Sequence, residues 1–144
     1  MKRVADIPFF KNIREIREYE FGKFYFFRGL VISEIKGGIV FDYDMATRAI
    51  NAAHEIFGED MPIAYISNRV NEYDVAAKDW VRFFSNRNQL DFYSVVGTTK
   101  ASFASLVLER MFFKNSIKQF TDLEEAIAWS VDKIQKRDSS ISYV

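Results

Sequence analysis

The sequence predicts a single α/β domain with a mixed sheet, antiparallel in its N-terminal strands and parallel in its C-terminal strands, carrying about four helices. Three observations predict it. Residues 13–35 alternate apolar and polar positions with Gly-containing breaks, the pattern of a strand meander. From Asp42 onward the apolar spacing changes to about 3.6 and then alternates between helical stripes and short apolar runs, which demands crossovers onto a parallel sheet. The chain has 144 residues, and 49% of them are hydrophobic against 28% charged, enough for one core and no second domain.

Taken in order, residues 1–12 mix charge, Pro8 and two Phe without a period and read as an extended arm that packs through Phe9 and Phe10. Ile13, Ile16, Tyr19, Phe21, Phe24, Phe26 and the stretch from Leu30 to Ile35 form three strands, with breaks expected at Gly22-Lys23, Arg28-Gly29 and Gly37-Gly38. Asp42 or Asp44 caps the first helix, whose Ala46, Ala49, Ile50, Ala53 and Phe57 form one stripe before Gly58 stops it. Pro62-Ile63-Ala64-Tyr65-Ile66 is apolar throughout, as a central parallel strand covered on both faces should be. Asp74 is expected to cap a second helix bearing Ala77, Trp80, Val81 and Phe84. Phe92 to Val96 follow as a strand, Thr98 or Thr99 opens a third helix to about Phe113, and Ile117 to Phe120 form the last strand. Thr121-Asp122-Leu123-Glu124 has capping-box spacing for a final helix that buries Leu123, Ala126, Ile127, Val131 and Ile134. The domain proper therefore spans 13–135, and the charged, Ser-rich stretch 136–144 has too little apolar surface to stay packed.

Composition narrows the function classes. Twenty basic and twenty acidic residues give a net charge of +0, and without a basic run nucleic acid is not an expected partner. Cys 0 and His 1 exclude disulfides, thiol nucleophiles and Cys/His zinc sites, so neither metal nor cofactor is expected. No apolar run reaches the length of a membrane span, and Met1-Lys2-Arg3 leads into Asp6 and Pro8 rather than a signal core, so the expected location is cytoplasmic. The single His54 lies at the edge of the first helix's stripe with no nucleophile or carboxylate placed to serve it. Glu124-Glu125 fit the first turn of a helix by complementing its dipole. No catalytic set is expected, and the chain is not read as an enzyme.

Two features point to binding instead. Ligands in open α/β sheets sit outside the carboxyl ends of the strands, where Ser67-Asn68-Arg69 and Thr98-Thr99-Lys100 would converge on a small volume suited to an anion. On the third helix, Leu108, Phe112 and Phe113 extend a second apolar face beyond the one that a sheet needs. With Tyr73 in the preceding loop, this face is a candidate interface for a protein partner or a homodimer. The alternative is a carrier of a small apolar or anionic ligand, acyl or phosphate-headed, with Arg69 and Lys100 at the mouth of a Phe-lined cavity.

The element order, together with Ala64-Tyr65-Ile66-Ser67-Asn68-Arg69, Val95-Val96-Gly97-Thr98-Thr99-Lys100 and Phe120-Thr121-Asp122-Leu123-Glu124-Glu125-Ala126-Ile127-Ala128-Trp129, resembles the STAS superfamily, and more narrowly the small bacterial SpoIIAA-like proteins. The resemblance covers about residues 13–135. It implies a sheet of four to six strands with helices on one side, and a role as an anti-sigma-factor antagonist, a regulatory domain, or a binder of apolar or anionic ligands. Antagonist members carry a phosphorylatable Ser or Thr in an Asp-Ser-x-Gly-like turn that opens a helix. Here Ser67 stands about seven residues before Asp74, with no Gly near it.

Overall fold

A computed structural model of the chain describes residues 1–76, 91–98 and 117–143. Six strands form the main sheet: β1 (Glu15–Tyr19), β2 (Gly22–Phe27), β3 (Leu30–Ile35), β5 (Ala64–Asn68), β7 (Phe92–Val96) and β8 (Ile117–Phe120), hydrogen-bonded side by side in that order. β1, β2 and β3 are antiparallel, while β3, β5, β7 and β8 run parallel. A single α/β domain with a mixed sheet is thus present, antiparallel at its N-terminal end and parallel at its C-terminal end. A second, two-stranded parallel sheet joins β4 (Val40–Phe41) to β6 (Asp74–Val75).

Among the described residues there are two α-helices, α1 (Tyr43–Phe57) and α2 (Leu123–Arg137). The third expected helix and nearly all of the second fall outside the described residues. The start assigned to the second is corrected, because Asp74 and Val75 are not a helix entry but pair with Val40 and Phe41. The backbone N–H of Asp74 donates to Ile39 O (3.0 Å) and that of Ala76 to Phe41 O (3.0 Å), so ladder bonds claim amides that a helix would use elsewhere. Two further boundaries move. The first tight turn is at Glu20-Phe21, and Gly22 opens β2 rather than breaking the chain. Gly22 has φ +155°, and a Cβ there would stand 2.7 Å from Glu34 O, so the glycine serves close strand approach. At α2 the cap is Asp122, whose carboxylate accepts from Glu125 N (3.2 Å), one residue later than Thr121. For α1 the alternative is settled in favour of Asp42, which accepts from Met45 N (3.0 Å), and Gly58 ends the helix at φ +83°.

The two helices cover opposite faces of the sheet, in contrast to the one-sided arrangement that the resemblance implies. Alternation along the strands explains why two faces need cover. Phe24, Phe26, Val31, Ile35, Tyr65, Tyr93 and Val95 point toward α1, while Tyr25, Phe27, Leu30, Ile32, Ala64, Ile66 and Val96 point toward α2. Both sets are buried, so a helix on one side alone would leave the other apolar face in water.

The ends of the chain complete the α2 side. The N-terminal arm is two short 3-10 turns (Val4–Asp6 and Pro8–Asn12) rather than an extended segment, and it buries Val4 and Ile7 beneath its own backbone. Phe9 and Phe10 do pack, against Phe27 (4.7 Å between ring centroids) and Tyr25 (6.2 Å). The C-terminal stretch, expected to be loose, is packed instead. Ile141 is 2% exposed, and the Tyr143 hydroxyl donates to Arg28 O. Two apolar anchors in nine residues suffice because the groove that receives them is built by β2 and α2.

Candidate functional site

The carboxyl ends of β3 and β5 hold a group of buried polar side chains: Glu34 near the end of β3, and Ser67, Asn68 and Arg69 at the end of β5. Strand alternation divides them between the faces. Ser67 and Arg69 lie on the α1 side, where Arg69 Nε donates to Ser67 Oγ (3.1 Å), and Ser67 shares a second hydrogen bond with the Tyr73 hydroxyl (2.5 Å). The Arg69 guanidinium lies over the Tyr73 ring at 5.2 Å. On the same face, Ser33 Oγ and the Tyr65 hydroxyl are 2.5 Å apart. The result is a hydroxyl-rich strip, built from β3, β5 and the loop that follows it.

Asn68 points to the α2 side and takes part in a different cluster. Its Nδ2 donates to Glu34 Oε2 (2.9 Å) and to Lys2 O (3.1 Å), and Val4 N donates to the same Glu34 oxygen (2.9 Å). A buried carboxylate thus fastens the N-terminal arm to the sheet, with two N–H donors replacing the water that burial removes. Burial, with the Glu34 carboxylate nearby, pushes the Tyr25 phenol above its ordinary value. Among the described residues, Asn68 Oδ1 is buried without a hydrogen-bond partner. At the arm's far end, Lys2 Nζ reaches Asp122 (2.6 Å) and Glu124 (2.9 Å), and the hydrogen bond from Lys2 holds the Asp122 carboxyl below its usual range.

The six expected ligand residues are therefore not one constellation. Ser67 and Arg69 meet, Asn68 lies across the sheet from them, Thr98 is exposed just past β7, and Thr99 and Lys100 lie outside the described residues. Of the expected interface, Tyr73 is half-buried against Phe41 and Arg69, while Leu108, Phe112 and Phe113 lie outside the described residues. Ser67 is 0% exposed, so its hydroxyl is a structural acceptor in this conformation. Sequence reasoning misses Glu34, although a signal for it exists: it is the one charged residue in a six-residue strand that is otherwise apolar except for Ser33.

His54 lies elsewhere, half-buried on an open cleft of about 660 Å3 at the amino ends of β5 and β7. Its neighbours there include Glu59, Asp60, Asp91 and Arg137. Asp91 is already engaged, accepting from Ile63 N (2.8 Å) and from Arg137 Nη1 (2.9 Å), which ties α2 to the sheet.

The loop after β5 is held along its whole length. Asn71 Nδ2 donates to Ile35 O (3.1 Å), Gly38 N donates to Glu72 O (3.0 Å), and the β4–β6 pairing closes the other end. Residues 36–40 and 70–74 therefore form one ridge, with Glu72 and Asp74 exposed and Val40 at 54% exposure. No helix among the described residues is long and apolar enough to cross a membrane. Comparison with family models, with curated proteins and with solved structures found no match to this chain.

Proposed function

We propose that the chain is a non-catalytic binding or regulatory module, of the kind the STAS-like resemblance implies, and that it engages a protein partner through the loop between β5 and β6. The observation that carries this reading is the bracing of that loop. Four sets of bonds hold it from Ser67 to Asp74, and the two-residue ladder places the exposed Val40 beside it. A loop fixed before binding loses little entropy when a partner arrives, and an exposed aliphatic side chain rimmed by Glu72 and Asp74 gives it an apolar centre with a charged edge. From the sequence alone, Leu108, Phe112 and Phe113 are added to the proposed interface.

The test uses the purified chain in two ways. Affinity capture is compared between wild type and Val40→Glu/Glu72→Lys, both positions being exposed, with unfolding midpoints measured alongside. A specific protein retained by wild type and lost by the double variant at unchanged stability supports the reading; equal capture by both overturns it. Native mass spectrometry separates the carrier alternative, because a co-purifying acyl or phosphate-headed molecule would assign the chain to small-ligand carriage instead.

A further inference from the structure

A cavity of about 300 Å3 opens at the amino end of β5, lined by Arg14, Arg28, Ile56, Phe57 and Met61. Arg14 reaches it through a bulge. Its backbone N–H donates to Phe26 O (2.8 Å), and Phe26 is also the register partner of Glu15, so two residues at the start of β1 oppose one on β2. Counting back by regular alternation from Tyr19 and Arg17, which lie on the α1 side, would send Arg14 to the α2 side. The bulge reverses this: Ile13 packs into the α2-side core, and Arg14 stands with Ile56 and Phe57 at the end of α1. Bulges re-aim side chains and gather next to functional sites. Arg28 is placed by the β2–β3 turn. Gly29 has φ +73°, and a Cβ there would lie 3.0 Å from Pro62 O and 3.6 Å from Met61 Sδ, so the turn sits tight against the loop that carries Met61.

The positive charge of this wall is not neutralised within the described residues, where neither guanidinium makes an ion pair or a side-chain hydrogen bond. Carboxylates on the surrounding elements are engaged elsewhere. Arg17 takes Glu15 and Glu55, while Asp138 accepts from Ser140 N (3.0 Å) and Oγ (2.6 Å). The carboxyl end of α1 supplies only about half a negative charge against two full positive ones. Below the guanidinia, Ile56, Phe57 and Met61 are each half-buried, an apolar floor still open to solvent.

We propose that this cavity binds a small organic monoanion, with its carboxylate on Arg14 and Arg28 and a short hydrocarbon body over Ile56, Phe57 and Met61. The guanidinium fork matches a carboxylate in geometry as well as charge. The volume lies at the lower end of the range for ligand sites, which limits the body to a few carbons. Met61 also walls the neighbouring cleft, where Glu59, Asp60, Asp91 and Asp138 stand, so a second negative group on the ligand would be repelled. The cavity is at the opposite end of β5 from the braced loop, and it stands whether or not that loop docks a partner.

Isothermal titration calorimetry of the full chain with hexanoate at low salt tests the proposal. Hexanoate should bind saturably, while acetate, which lacks the body, hexanamide, which lacks the charge, and adipate, which adds a second carboxylate, should each bind about tenfold more weakly or less. Arg14→Gln and Arg28→Gln should each weaken hexanoate by about tenfold, and Met61→Glu should abolish its binding where Met61→Leu keeps it. Val40→Glu/Glu72→Lys should bind hexanoate as wild type does, so anion binding and partner capture are read separately. On wild type, amide resonances of Arg14, Phe57 and Met61 should shift on titration while those of residues 70–74 stay fixed. Thermal midpoints verify that each variant is folded, and the wild-type measurements decide the matter even if one is not. Absence of saturable hexanoate binding, equal binding of hexanamide, affinity indifferent to both Arg substitutions, or resonance shifts confined to other residues would each overturn the proposal.

Discussion

The two faces of the main sheet are packed by different means. Toward α1, Phe24 of the sheet meets Phe21 from the turn before β2 and Phe41 from β4 at 5.9 and 6.4 Å between centroids, and Tyr65 meets Tyr93 at 5.3 Å. The helix that covers them answers with small residues, burying Ala49, Ala52 and Ala53 beside Ile50. Toward α2 the sheet presents Tyr25 and Phe27 on β2 and otherwise Leu30, Ile32, Ala64, Ile66 and Val96, and the helix contributes Leu123, Ile127 and Ile134. Large side chains are needed once per layer, on the sheet in one case and shared with the helix in the other, and volume complementarity fixes which helix suits which face. At the margins of the α2 side, Phe9 lies against Phe27 and Phe10 against Tyr25. Those margins are filled by the two chain ends, through Val4, Ile7 and Ile141.

Removing a ring should separate the two faces most clearly. Phe24→Ala should cost about 3–5 kcal/mol in urea unfolding, because alanines on the facing helix cannot reach into the space. Phe27→Ala, the same truncation at a buried ring on the other face, should fall at the lower end of that range, since the branched side chains on that side can settle. Similar losses for the two variants would show that the faces differ in composition but not in packing. Next in size is Glu34→Ala, which strands the buried Val4 N–H and an Asn68 N–H and should cost about 1–3 kcal/mol. Its signature is local: the Val4 amide should exchange with solvent faster while amides of α1 keep their protection, and unchanged exchange at Val4 would separate the arm from Glu34.

The smallest effect concerns pH. Burial pushes the Tyr143 phenol up from 10.0 to about 12, with Arg28 opposing the rise. A raised phenol pKa means that folding favours the neutral form. The stability it contributes is complete below pH 10.0 and is lost as pH climbs to about 12, where a phenolate can no longer donate to Arg28 O. Wild type should therefore lose thermal midpoint across that window more steeply than Tyr143→Phe, which starts lower at neutral pH because it lacks the hydrogen bond. Parallel curves would show that the C-terminal segment does not hold the α2 face closed.

Each part of the fold is legible in the sequence to the extent that it carries a periodic signal. The six long strands, α1 and α2 announce themselves because burial on one or two faces imposes a repeat over many residues. β4 and β6 are two residues each, too short for any period, and Asp74 carries a cap signal that the ladder overrides. The chain ends escape for a related reason. An arm is packed by isolated anchors such as Val4 and Ile141, whose burial depends on a groove made elsewhere in the chain. At the strand ends, the polar residues are legible but their division between faces is masked by their adjacency. Ser67, Asn68 and Arg69 are neighbours along the chain, and the pleat sends the middle one to the opposite face. Strand alternation carried past Ile66 is enough by itself to separate Asn68 from Arg69.

β3 is bonded antiparallel to β2 and parallel to β5, which makes it a seam between two kinds of connection. On one side a two-residue turn at Arg28-Gly29 brings its partner alongside; on the other, all of α1 intervenes before β5 arrives. The entropy lost in closing a loop grows with its length, and contacts close in sequence form sooner than distant ones. On a refolding time axis the seam is therefore a boundary between early and late events. The β1–β2–β3 meander pairs without waiting for any helix, and the parallel strands add to a template already laid down, with β3 as its leading edge.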